Sequence, residues 1–340
     1  MTRAVGILAG LLAVTAGAAL PADAPAYHVA HRYVLGGEGG WDYLTFDSAA
    51  KRLYISRSTH VMVVDPSTGT IAGDIPNTPG VHGVALASDL GKGFTSNGRD
   101  GTVTVFDMKT LAVAATIHTG AKNPDCIIYD PAAKRVFTFD GGSNDATAID
   151  AATNKVVGTV PLGGRPEFAV ADGEGTVFDN LEDKNEIVAI DAKSLKITAR
   201  WPLAPCESPS GLSMDRANGV LFAACDGQMA MVDSASGKVL ATLATGNGTD
   251  ASAYYPAGSL AFAPNGRDAT LTVIAQRGPK QFTVLENAKT ETGARTMALD
   301  ETTGTVYLVT AKLQVNPNAT SYRDRYHVVP GTFALLVLQP

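Results

Sequence analysis

The sequence predicts an all-β chain, a seven-bladed β-propeller closed by an N-terminal strand that completes the last blade. Three observations predict it. A unit of about 42 residues repeats along the chain, each copy holds alternating apolar runs, and the last copy lacks an outer strand that the segment before the first copy can supply.

Five stretches align almost without gaps, from Asp47, Ala87, Asp130, Asp172 and Asp215. Each runs from a polar turn through an apolar run to an alternating run that ends in an aspartate. These aspartates are Asp65, Asp107, Asp150, Asp191 and Asp233, at intervals of 42, 43, 41 and 42 residues. Alternation between turn formers marks a strand. In the turn after Asp65, Pro66 presets φ and Gly69 can take positive φ, while the carboxylate can accept from the turn's own N–H groups. These aspartates are therefore read as structural.

Two weaker copies follow. The one from Tyr255 lacks the second aspartate, and the one from Asp300 carries an insertion, 311–330, expected to be a long exposed loop. One copy, about four short strands, cannot bury both faces of its sheet, and radial stacking solves this. The last copy ends after one strand beyond its insertion, so residues 27–35 are expected to add its outer strand.

The segments RLYIS (52–56), TVYLVT (305–310), VVDPSTGTIAGDI (63–75) and AIDAATNKVVGTV (148–160) resemble those of the YVTN-repeat, YncE-like β-propellers, over about residues 27–340. The resemblance implies the propeller fold and an exported bacterial protein. It also implies single-stranded DNA binding, reported for some members. Copies two, four and six depart from the repeat consensus, which leaves their strand limits open.

Residues 1–22 read as a signal peptide: Arg3 supplies the charge, Val5 to Leu20 the apolar run, and small residues near 18–24 the cleavage region. Residues 27–340 are expected to form one propeller domain, periplasmic or secreted, with no membrane span after signal removal. The whole chain carries a formal charge of −6, and loss of Arg3 makes it more acidic. That argues against nucleic acid as partner. Of the three cysteines, Cys206 and Cys225 flank one hairpin and are candidates for a disulfide, while Cys126 reads as a buried thiol.

The repeat also locates a site. Twelve residues before the core aromatics Tyr54, Phe94, Phe137, Phe222, Phe262 and Tyr307 stand Asp42, His82, Asp125, Ser210, Asp250 and Arg295; in the shorter fourth copy the match is Glu167. These positions lead into the inner strands, so ring symmetry would gather them at one mouth of the central channel. Trp41, Arg165 and Glu207 stand beside them and complete the candidate ligand-binding set, with Ser210 itself read as a strand residue. Three uses remain open: a solvated, internally paired mouth, a small-ligand pocket, and a metal site. For a divalent metal the candidates are His82, Asp125 and Glu167. No organic cofactor motif is present.

The function expected is an exported binding protein that recognises a small molecule or protein partner at the channel mouth. A metal-assisted lactone or ester hydrolase is the alternative, and single-stranded DNA binding the second. Binding is favoured over catalysis because no residue pattern marks a nucleophile.

Overall fold

A computed structural model of the protein describes residues 26–318 and 326–340. The expected signal segment, 1–22, lies outside the described residues. Within them the strands form seven four-stranded antiparallel sheets and one two-stranded sheet. Each four-stranded sheet is one blade of a seven-bladed propeller.

Blade one runs through Leu44–Asp47, Arg52–Ser56, Val61–Asp65 and Thr70–Ile75, from the channel outward. Blades two to six repeat this order, with inner strands Val81–Ala87, Pro124–Asp130, Pro166–Ala171, Leu212–Asp215 and Ala253–Tyr255. Blade seven closes the ring. Its inner three strands are Met297–Asp300, Thr305–Thr310 and Ala334–Gln339, and its outermost is His28–Val34. The closing pair is antiparallel, from His28 opposite Gln339 to Val34 opposite Ala334. Outside the pairing, the Tyr27 hydroxyl donates to the Gly304 carbonyl at 3.0 Å, and Arg32 holds Glu291 at 2.8 Å.

The turn aspartates act locally. The carboxylate of Asp65 accepts from Ser67 N–H, that of Asp107 from Lys109 and Thr110, and that of Asp191 from Lys193 and Ser194. Asp150 and Asp233 do the same for Thr153 and Ser236. These bonds favour the charged form and hold the carboxyls below their ordinary range. Gly69 follows with φ 70°.

Each blade plants one aromatic from its second strand into the packing between sheets. Tyr54, Phe94, Phe137, Phe222 and Phe262 are fully buried, and Phe178 and Tyr307 nearly so. Neighbouring rings meet them, as Phe222 meets Tyr254 at 5.0 Å between centroids.

One expectation needs correction. The insertion in blade seven is not loop throughout: Leu313–Val315 and Tyr326–Val328 pair as a hairpin. Three alternating residues are too few to show as a period. Blade six lacks its second aspartate because its outer strands, Thr270–Gly278 and Gln281–Lys289, run on past the usual turn to a tight one at Gly278.

Candidate functional site

The inner strands all run away from one mouth of the channel, so the residues that lead into them converge there. The structure joins six of the seven expected positions in one chain of polar contacts. His82 Nδ1 lies 2.7 Å from Asp42 Oδ2 and 3.5 Å from Asp125 Oδ1. Arg295 Nη2 stands 4.0 Å from Asp42 Oδ1, and its Nε donates to Asp250 Oδ2 at 2.9 Å. Ser210 Oγ donates to Asp250 Oδ1 at 2.8 Å. Ser210, read from the sequence as a strand residue, is not in one: it sits two residues ahead of Leu212–Asp215, where the loop turns it into the mouth.

Glu167, the seventh, is held by Arg165 at 2.7 Å, and Arg165 also reaches Glu182 at 3.0 Å. The metal trio expected from sequence is thus divided. His82 and Asp125 are together, Glu167 is taken by Arg165, and Asp42 is the third member of the cluster. Trp41 is buried against Phe333, with the Arg295 guanidinium 5.7 Å from its ring. Glu207 is exposed, its carbonyl accepting from Asp226 N–H. Cys206 and Cys225 are disulfide-bonded with Cα atoms 5.8 Å apart, and Cys126 is a buried free thiol.

Burial and the crowding of carboxylates set the protonation of the mouth. Burial lifts Glu167 to about 8, helped by the charges of Asp125 and Glu182 and opposed by Arg165. Burial lifts Asp125 to about 6, with His82 opposing. For His82, burial favours the neutral ring, but the hydrogen bond to Asp42 and the charge of Asp125 outweigh it and raise the imidazolium to about 9. Near pH 7 the mouth therefore holds a charged imidazole between two aspartates and a largely protonated Glu167.

A ring contact closes the floor of the mouth. Tyr43 of blade one meets Phe168 of blade four at 4.2 Å. These blades face each other across the axis, so the two rings span it. Below lies a cup of about 270 Å3 at the other end of the channel, of mixed character, lined by Phe46, Val170, Met214 and Leu299 together with Ser213, Ser252, Arg216 and Glu301.

Above the floor, between blades four and six, is a polar cleft of about 320 Å3 lined by Arg165, Glu167, Glu182, Asp226, Asp250 and Arg267. Sequence reasoning missed Glu182, Asp226 and Arg267. The signal was present: they stand four or five residues after Phe178, Phe222 and Phe262, where the second strand returns to the same mouth. A wider cleft of about 510 Å3 lies outward of Trp41 and Arg295, against Leu313 and Val328 of the inserted hairpin.

No family profile matches the sequence, and no curated protein matches it. Solved structures do. The WD40 repeats of RRP9 align with a TM-score of 0.77 at 10% identity, covering 92% of this chain and 99% of that one. U3-55K aligns with a TM-score of 0.75 at 9% identity, covering 91% and 99%. A chain of the mitotic checkpoint complex aligns with a TM-score of 0.75 at 13% identity, covering 99% of both. At these identities the likeness is one of fold, and this chain is a seven-bladed β-propeller similar in architecture to WD40 propellers.

Proposed function

We propose that the protein is a binding protein whose polar mouth takes a small zwitterionic ligand, a free amino acid or short peptide, in the cleft between blades four and six. One observation carries this. Arg267 and Asp226 line the same cleft, and neither charged group has a hydrogen-bond or ion-pair partner among the described residues. Arg165, Glu167, Glu182 and Asp250, which line it too, are already engaged. An unpaired cation and an unpaired anion across one cavity match a ligand that carries both a carboxylate and an ammonium group. A volume of about 320 Å3 is at the small end of ligand sites.

The reading places this activity outside the cytoplasm, as an exported YVTN-repeat propeller. The repeat motifs and the apolar N-terminal run support that, and the Cys206–Cys225 disulfide suits an oxidising compartment.

Calorimetry with the common amino acids and their dipeptides at physiological salt tests the reading. At least one should bind, and R267A and D226N should each weaken it by about tenfold or more, the effect of losing about 1.4 kcal/mol of binding energy. Both residues are exposed, so the variants should fold as the parent does. Absence of any binding, or binding that survives both substitutions unchanged, would overturn it.

A further inference from the structure

Three atoms from three blades point at one place. Asp42, His82 and Asp125 each offer one ligand atom, and the three atoms lie within 4.8 Å of one another. The distances from the imidazole nitrogen, 2.7 Å and 3.5 Å, bracket the separation of about 3.4 Å between ligands that bind a tetrahedral zinc ion at 2.0–2.2 Å.

The second oxygen of each carboxylate is occupied from outside the trio. Asp125 Oδ2 accepts from Asn123 Nδ2 at 3.4 Å, and Asp42 Oδ1 faces Arg295 Nη2 at 4.0 Å. Asp42 is also fixed through its backbone, whose N–H donates to Ser56 Oγ at 3.1 Å. Outer partners that turn one carboxylate oxygen inward are how metal ligands are oriented. The side chains are 19–25% exposed, so an approaching ion meets the trio from the mouth. An imidazole among the donors disfavours Ca2+ and Mg2+, which take oxygen ligands almost throughout, and favours a borderline ion.

We propose that Asp42, His82 and Asp125 form a Zn2+ site with three protein ligands and a fourth position open to the channel mouth. His82 binds through Nδ1, and the proton now on that nitrogen leaves to solvent as the metal enters. The open position would carry water or a donor atom from a bound molecule. The site shares no residue with the Arg267–Asp226 cleft and does not rest on the zwitterion reading.

The test uses the full chain without a histidine tag, freed of metal by chelator, titrated with ZnCl2 by calorimetry. One equivalent per chain should bind, H82Q and D125N should each weaken it by about a hundredfold, and E174Q, which removes an exposed carboxylate elsewhere, should leave it unchanged. CaCl2 should bind far more weakly. If a variant does not fold, CoCl2 added to the parent protein decides: intense visible bands of a four- or five-coordinate ion support the site, and weak octahedral bands overturn it. Zinc binding that H82Q and D125N leave unchanged, or no binding at all, also overturns it. Failure of amino-acid binding would leave this result untouched, because the titration reads the metal alone.

Discussion

Asp140 ends the second strand of blade three, fully buried, and its replacement by asparagine should stabilise the protein in a pH-dependent way. Its Oδ2 accepts from Thr147 Oγ1 at 2.8 Å, while its Oδ1 and the neighbouring Asp145 Oδ1 are buried without a partner. Burial pushes the Asp140 carboxyl up to about 8, with Asp145 adding to the rise. The folded protein thus holds a proton that the unfolded chain releases near pH 4. Stability from this group is complete below that pH and is lost as pH rises to about 8, at up to about 1.4 kcal/mol per pH unit. Blades two and six show the remedy. At the same register Asn97 donates Nδ2 to Thr102 and Thr104, and Asn265 donates to Thr270 and Thr272. In D140N the amide would meet Asp145 and Thr147 in the same way and carry no charge. Allowing half of the full linkage for relaxation around the carboxylate leaves a gain of about 2–3 kcal/mol at pH 8, and little at pH 4.5. Thermal unfolding of parent and variant at half-unit steps from pH 4.5 to 9 measures it. The gap should widen with pH, to roughly 3–5 °C at the alkaline end. A gap that stays constant with pH, or a variant less stable throughout, would refute the reasoning.

Phe137→Ala should cost about 3–5 kcal/mol in denaturant unfolding, since the ring is fully buried between blades. Arg57 is buried and donates to the carbonyls of Gly36, Glu38, Gly39 and Gly40 while stacking on Phe333 at 3.6 Å, so R57M should lower stability by at least about 2 kcal/mol and expose the 36–40 loop to protease. Replacing Cys206 and Cys225 together by alanine opens a closure of 19 residues and should cost about 3 kcal/mol in equilibrium unfolding.

Most of the fold was legible because a propeller writes its structure in period. The turn aspartates recur at nearly equal intervals, and each fixes a turn through its own carboxylate, so local chemistry and global symmetry agree. The candidate mouth was legible for the same reason: one offset from the core aromatics gathered Asp42, His82, Asp125, Ser210, Asp250 and Arg295, which the structure links in one chain of contacts. What the offset could not give is which neighbours pair. Glu167 is paired by Arg165 two residues away, and that choice depends on rotamers and on Glu182 from the next strand. The inserted hairpin was hidden because its strands are three residues each. The Tyr43–Phe168 contact was hidden because it joins blades that are neighbours neither in sequence nor around the ring.

That last contact makes the molecule two-sided. A propeller with an open bore could pass solute from one face to the other, but here the tilted Tyr43–Phe168 contact lies across the bore. The charged mouth and the mixed cup on the opposite face are thus separate receptacles on one disc. Substitutions on one should add independently to those on the other. An occupant of one face would leave the opposite one free.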